Sequence, residues 1–352
     1  MTRKLVILTE GHTNPHTAKT ASCLLRYCED QVVALLDGTQ QGQSNDALLG
    51  VGGDTPVVGS LAEAAGADTL LLGIAPPGGK IPQAWRAVIL EAITRGMNVV
   101  AGLHDFLSDD PEFVAAAERH GVTLTDVRQN SERDIARRQG IRDECLRILT
   151  IGHDCSVGKM LTSVELTEGL KRAGTDAHFI ATGQTGIMVS GEGCPIDRVI
   201  ADFVSGAVEK MVKQHQHHQV LVVEGQGSLV HPSYSAVTLG LLHGALPHAM
   251  ILVYEVGRDM VTGLEPLKIP PLDKVIDLNE TMASIFDPCP VIGVSMNSRR
   301  VSAAEAAVER QRVSGELGLP VCDVVRDGPD VLVQAILQFK DKSGWTQANG
   351  CS

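Results

Sequence analysis

Aromatic residues make up only 3% of the 352-residue sequence. A core built from it must rest on Leu, Val, Ile and Ala, and single-stranded nucleic-acid binding through stacked aromatic rings is not expected. Positive charge is also in deficit. Thirty Lys and Arg stand against 42 Asp and Glu, a formal net charge of −12 at pH 7. A general phosphate-backbone binder would carry a basic footprint, so nucleic acid is not an expected partner. No apolar run approaches the ~20 residues needed to span a bilayer, and no membrane partner is expected. The opening apolar run stops at Glu10, and reads as a β-strand and its loop, not a signal peptide. No two of the eight cysteines form a C-x-x-C pair, which argues against a zinc site or a disulfide framework. Free thiols suit a reducing compartment, so a cytoplasmic protein acting on small molecules is expected. No G-x-G-x-x-G follows the first strand, which weakens an oxidoreductase reading.

What the chain does contain is alternation. At ~150 residues per domain, its length suggests two domains. Strands are expected at 4–8, 31–36, 68–74, 98–101 and 122–127, with helices at 15–28, at 82–95 and from Asp110-Pro111 onward. A charged segment, SERDIARRQGIRDEC (131–145), then interrupts the pattern and marks the expected boundary, between 140 and 141. A second series has strands at 146–151, 177–181, 220–224, 250–254 and 291–296, and helices at 158–173, 196–214, 303–317 and 330–340. Continuous apolar strands separated by helices indicate α/β domains with parallel sheets covered on both faces. His215, His217 and His218 cluster after a helix end with no cysteine or carboxylate at ligand spacing. They read as an exposed helix terminus, and no metal site is expected.

The strongest motif is ILTIGHDCSVGKM (148–160). A strand runs into a glycine-bearing loop and then a helix, the context that makes a phosphate cradle. Lys159 adds a mobile positive charge. Five residues (His153, Asp154, Cys155, Ser156 and Val157) separate Gly152 from Gly158-Lys159, where the common pattern has four. Met160 stands where Ser or Thr would coordinate Mg²⁺, and Thr162 points to another side of the helix. A phosphate-bearing ligand is therefore expected, while Mg-dependent nucleotide hydrolysis is disfavoured. The loop is similar to that of dethiobiotin synthetase-like enzymes at Gly152, Asp154, Val157, Gly158 and Lys159, but not at His153 or Met160. That similarity keeps an ATP- and Mg²⁺-dependent ligase or kinase-like enzyme as an alternative, with Glu224 or Asp154 holding the ion. A nucleotide-binding regulatory protein is a third reading.

Other groups gather at strand ends, where ligands bind in open α/β sheets. The segment VLVVEGQGSLVHPSYS (220–235) ends its strand in Glu224, a candidate general base or metal ligand on the same crevice as the loop. Gln226, His231 and Tyr234 follow it as candidate pocket residues. Thr182 to Gly186 supply small donors after another strand. Arg258 suits a substrate carboxylate, and Asn297 suits a nucleotide base. Glu10, Gly11 and residues 77–79 are possible contributors from the first domain.

Taken together, GHDCSVGKM (152–160), IDRVIADFVSGAVE (196–209) and the long segment from Val222 to Arg258 resemble a bacterial and archaeal P-loop family long labelled only a domain of unknown function. GIAPPGGKIP (73–82) agrees, and methionine after the loop lysine is usual there. The family includes the D-glutamate N-acetyltransferase of a D-glutamate catabolic pathway. The resemblance thus implies acetyl-CoA as donor and D-glutamate or a similar amino acid as acceptor. It also implies a Rossmann-like domain at 1–140 and a P-loop NTPase-like domain at 141–352; a homo-oligomer is expected. On this reading Gly152, Asp154, Cys155, Ser156, Val157, Gly158, Lys159, Met160 and Asn297 hold the acetyl-CoA. Glu224, Lys159 and His231 are catalytic, and Arg258, Tyr234 and Gln226 bind the acceptor.

Overall fold

The structure, a computed structural model, describes residues 3–15, 17–74 and 79–342. Pro77, Gly78 and most of the polar C-terminal tail lie outside the described residues. The chain divides into two compact units, Met1–Gln129 with Ile187–Gly191, and Asn130–Gly186 with Glu192–Ser352.

In the first unit the strands are β1 (Leu5–Leu8), β2 (Val32–Leu36), β3 (Val57–Val58), β4 (Thr69–Leu72), β5 (Asn98–Ala101) and β6 (Leu124–Asp126). They form one parallel sheet in the order β3-β2-β1-β4-β5-β6. This is the order of a dinucleotide-type doubly wound sheet, with its switch point between β1 and β4. The helices are α1 (Lys19–Tyr27), α2 (Asn45–Leu49), α3 (Arg86–Thr94) and α4 (Pro111–His120). The punctuation read in the sequence is realised at α4. Asp110 caps it by accepting from Glu112 N and Phe113 N, Pro111 takes the first position, and Gly121 closes it in the left-handed region.

The second unit carries β7 (Leu146–Gly152), β8 (Ala177–Ile180), β9 (Val220–Val223), β10 (Ala249–Glu255), β11 (Val291–Asn297) and β12 (Val321–Cys322). Their order is β12-β11-β10-β7-β9-β8, again parallel throughout. Helices α5 (Lys159–Arg172), α7 (Val204–His215), α8 (Ser235–Ala245), α9 (Leu272–Ala283), α10 (Ala303–Leu317) and α11 (Asp330–Lys342) complete the series, while α6 (Gln184–Ser190) begins in this unit and ends in the stretch grouped with the first. The period-two rule explains the layering. Leu146 and Ile148 of β7, Val220 and Val222 of β9, and Ala249 and Ile251 of β10 pack with Leu166, Leu170, Leu332 and Ile336 of α5 and α11. The intervening Leu149, Ile151, Leu221, Val223, Met250 and Leu252 pack on the other face with Val208, Met211, Leu241 and Ile276 of α7, α8 and α9. Each fully buried Val, Leu, Ile or Met among them stabilises the fold by about 1.5–3 kcal/mol.

Three expectations change. The unit boundary falls after Gln129, earlier than 140/141. The reason is that the charged segment is pinned to α7. Backbone N–H groups of Arg137 and Arg138 donate to Glu209 Oε2 at 3.0 and 2.8 Å, and Lys210 Nζ lies 3.1 Å from Glu132 Oε1. The helix expected at 196–214 is two 3-10 turns (Ile196–Arg198 and Ala201–Phe203) followed by α7. The helix expected at 15–28 is shorter, starting at Lys19.

Candidate functional site

Strand β7 opens at Gly152 into the loop 153–158, and α5 begins at Lys159. Ser156 and Gly158 turn the loop with φ of 54° and 117°. A non-glycine residue in this region costs of order 1–3 kcal/mol, so the surrounding bonds must hold Ser156 there. A Cβ on Gly152 would sit 2.8 Å from Lys159 Nζ, so glycine leaves the lysine room to fold back. The Lys159 ammonium donates to Asp154 O at 2.9 Å and is 6% exposed. Burial pulls its pKa down to about 8 against the opposing pull of Cys155, Asp154 and Glu224. The result is a loop of backbone N–H groups round a lysine at a helix N-terminus, the physical form of an anion cradle.

A clamp fixes that loop from behind. Asp154 Oδ1 accepts from Cys155 N at 2.7 Å. Its Oδ2 accepts from Thr262 N at 3.0 Å, Thr262 Oγ1 at 2.7 Å and Arg258 Nη1 at 3.1 Å. Burial works to raise the Asp154 pKa, but these donors outweigh it and lower it, so the carboxylate stays ionised. Arg258 Nη1 also donates to Cys155 O at 2.7 Å, while its Nε donates to Glu255 Oε2 at 2.6 Å and its Nη2 pairs with the same carboxylate. Arg258, expected to receive a substrate carboxylate, thus spends its guanidinium on bracing the loop. Asn297 is likewise occupied. Its Nδ2 donates to Val157 O at 2.9 Å and its Oδ1 accepts from Arg299 N at 3.3 Å.

Glu224 stands at the end of β9, the strand beside β7. Its Oε2 accepts from Thr182 N at 2.9 Å and Gly183 N at 3.2 Å, and its Oε1 accepts from Gln226 Nε2 at 3.0 Å. It is 4% exposed. Burial pushes its pKa up to about 7, with the two backbone donors and Lys159 pulling the other way. The next residue has no room for a side chain, because a Cβ on Gly225 would collide with Thr150 O. Gly225 N donates to Thr150 Oγ1 at 2.9 Å, which ties the two strand ends together. A buried carboxyl group with a pKa near neutrality, close to a buried lysine, has the proton affinity that a general base needs.

Comparison with known proteins fits this geometry. Residues 134–333 match the P-loop domain described as a domain of unknown function, DUF1611_C, and residues 38–130 match its Rossmann-like companion, DUF1611_N. The chain belongs to the DUF1611 family. A protein of this family from Anabaena variabilis has a solved structure that superposes with a TM-score of 0.90 at 37% identity, covering 96% of this chain and 99% of that one. Two curated relatives are named D-glutamate N-acetyltransferase. One, from Tritonibacter scottomollicae, is 40% identical over 277 residues, and the other, from a Pseudoalteromonas species, is 41% identical over 277 residues. Each alignment covers 78% of this chain and 83% of the relative. Among the described residues, no helix is long and apolar enough to cross a membrane.

The remaining expected residues of this family member divide by what they touch. Gln226 holds Glu224. The ring of His231 is used at both nitrogens. Nδ1 accepts from Ser233 N at 3.2 Å, so Nε2 carries the proton and donates to Thr262 O at 3.1 Å. It joins the loop after β9 to the Asp154 clamp. Tyr234 is 50% exposed beside it. Burial pushes the Cys155 thiol up to about 11, so it is no thiolate nucleophile at neutral pH. Thr162 Oγ1 lies 2.9 Å from Ser295 Oγ and so turns towards β11. Glu10 accepts from Gly38 N at 2.7 Å within the first unit.

Two residues escaped the sequence reading. Thr262 carries half of the Asp154 clamp, yet it follows no strand end and belongs to no motif. His153 is 3% exposed, and neither ring nitrogen has a hydrogen-bond partner. Burial keeps it neutral by pulling its pKa down to about 4. It lines a cavity of about 720 Å³ together with Tyr254, Arg258, Lys268, Glu309 and Arg312. The one signal in the sequence was its departure from the dethiobiotin synthetase-like loop.

Proposed function

We propose that the protein is an N-acetyltransferase that moves the acetyl group of acetyl-CoA to the amino group of D-glutamate or a similar amino acid. The names of its curated relatives support the activity and the acceptor. The observation that carries the mechanism is Glu224, buried, poised near pH 7 and adjacent to the Lys159 cradle. Coenzyme A is a phosphate carrier that is bound and not cleaved at phosphorus. A cradle with Met160 in place of a metal-binding hydroxyl suits such a ligand.

The amino acid arrives as an ammonium ion and must lose a proton before it attacks. Glu224 takes that proton when ionised. The amine nitrogen then attacks the thioester carbonyl, a C–N bond forms, the C–S bond breaks, and the second nitrogen proton passes to the departing sulfur, so that coenzyme A leaves as the thiol. Lys159 and the loop N–H groups bind the anionic parts of the donor or meet the developing oxyanion. Asp154, Arg258, Thr262 and Asn297 keep the loop in the shape this needs.

The test is thiol release from acetyl-CoA with D- and L-amino acids, with and without Mg²⁺. Release that prefers D-glutamate and needs no metal is expected. ATP turnover that requires Mg²⁺, with no thiol release, would overturn the proposal in favour of a ligase or kinase-like enzyme.

A further inference from the structure

The sequence places His215, His217 and His218 together, but the fold adds what their spacing lacked. His178, at the second position of β8, brings its ring to within 4.0 Å of the His215 ring and 4.8 Å of the His218 ring, centroid to centroid. One ring nitrogen from each of His178, His215 and His218 falls within 4.8 Å of the others. His178 Nε2 is buried and has no hydrogen-bond partner. Glu192, from the loop after α6, presents a carboxylate to the same place. Its oxygens lie 3.4 Å from His178 Nε2 and 3.8 Å from His215 Nε2. On the far side His218 Nδ1 lies 2.8 Å from Asp176 Oδ1. That bond assigns the proton of His218 to Nδ1 and leaves Nε2 as a lone pair. Carboxylate-oriented histidines of this kind are the usual outer shell of a metal site. A cavity of about 290 Å³ adjoins the cluster, lined by His178, Glu192, Met211, Gln214 and His215 among others.

We infer that His178, His215, His218 and Glu192 form a binding site for a divalent transition-metal ion, with Asp176 orienting His218. Three imidazoles and one carboxylate suit Zn²⁺, Co²⁺, Ni²⁺ or Cu²⁺, whereas Mg²⁺ and Ca²⁺ prefer oxygen donors. His178 stacks on His215 and His218 at interplanar angles of 12° and 7°, so ligand bonds of about 2.0–2.2 Å require the rings to rotate about their side-chain torsions until their lone pairs converge on the ion. The site lies at the start of β8, and the residues just past the end of that strand, Thr182 and Gly183, hold Glu224. It would tie the edge strand of the sheet to the end of α7, a structural role that does not depend on the proposed acetyl transfer. This departs from the expectation that no metal binds there, because the donors that complete the set are distant in sequence.

The experiment uses the full chain, stripped with chelator and titrated with Zn²⁺ against a competing indicator, with Co²⁺ as a spectroscopic probe. One ion per chain is expected, with visible Co²⁺ bands of low-symmetry nitrogen and oxygen coordination and a higher melting temperature. The double variant His178→Ala/His218→Ala should lose at least a hundredfold in affinity. His217→Ala, altering an exposed ring outside the set, should keep it. Asp176→Asn should weaken binding by about 10–100-fold. Circular dichroism of the metal-free variants checks folding, and Glu192→Gln, at a half-exposed position, gives a milder second variant if the double one does not fold. The inference fails if wild-type protein binds no stoichiometric ion. It fails equally if the folded double variant, or Glu192→Gln in its place, binds as tightly as wild type, which would mean an adventitious ion only.

Discussion

The two sheets share a plan, yet they treat a buried carboxylate in opposite ways. Asp37, just past β2, is fully buried, and so nearly is Glu224, just past β9. Asp37 is ringed by short polar partners. Thr13 Oγ1 lies 2.5 Å from its Oδ2, and Thr39 donates to its Oδ1 through Oγ1 at 2.6 Å and N at 3.0 Å. Burial works to raise its pKa, but these bonds win and lower it. Glu224 has two backbone donors and one amide, and burial wins, raising it to about 7. The first carboxylate is held as a fixed anion that organises a turn. The second can exchange a proton near neutrality. The competition between desolvation and donors therefore sets the two carboxylates apart, and on the proposed function only Glu224 works as an acid–base group.

The sharpest way to break that comparison is to neutralise each acid in turn. Glu224→Gln should lower kcat by about 10²–10⁴-fold, the range for a lost general base, with little change in coenzyme A affinity. Asp37→Asn should leave kcat within a few-fold and lower the melting temperature, since it leaves buried donors mismatched at a cost of about 1–3 kcal/mol. Equal losses of kcat in the two variants would show that the pKa contrast carries no functional meaning.

The comparison is sharpened next by the cation. Lys159→Ala removes the charge from the cradle, and coenzyme A should bind about 10–100-fold more weakly, as for a lost charge-assisted bond of about 1.5–3 kcal/mol. Isothermal titration with coenzyme A measures this directly, and unchanged affinity would move the donor away from the loop.

A pH profile tests both groups together. Glu224 must be ionised to accept a proton, so the rate should fall as pH drops through about 7. Lys159 must be protonated to attract the anionic donor, so kcat/KM should fall as pH rises through about 8. Each limb should approach a tenfold change per pH unit. The acidic limb should vanish from the residual activity of Glu224→Gln, and a limb that persists there belongs to another group.

Much of this was legible in the sequence. Strands β7, β9 and β10 are buried on both faces and read as mainly apolar runs, broken in β7 by Arg147 and Thr150, so the cradle and Glu224 could be placed at strand ends on one crevice. Other elements lacked a pattern. β3 and β12 are two residues long, too short to show a period. Helix α8, SAVTLGLLHGA, has almost no polar face, because its small residues pack against α7, where a Cβ on Gly244 would meet Ser205. The commitments of Arg258 and Asn297 were hidden for a different reason. Residue type and strand-end position show that a side chain can reach a ligand. They do not show that Asp154, Glu255 or Val157 has already claimed it.

The smallest effect tests the clamp itself, again by pairing the two units. Thr262→Val keeps the backbone N–H to Asp154 and removes the hydroxyl bond at 2.7 Å. A hydrogen bond to an ionised carboxylate contributes about 1.5–3 kcal/mol, but Cys155 N, Arg258 Nη1 and Thr262 N still donate to Asp154, so KM for acetyl-CoA should rise a few-fold while kcat stays nearly constant. Thr39→Val removes the corresponding hydroxyl from Asp37, 2.6 Å away, and should shift only the melting temperature. The two substitutions are chemically alike, and both partners are carboxylates held below their ordinary pKa. Any difference in KM between them therefore reports what lies on the other side of the carboxylate. At Asp154 that is the loop wrapped round Lys159, which must be in shape before an anion can enter it. At Asp37 it is the turn after β2. If Thr262→Val leaves KM untouched, the loop holds its shape without the clamp, and Arg258 and Asn297 suffice to keep it.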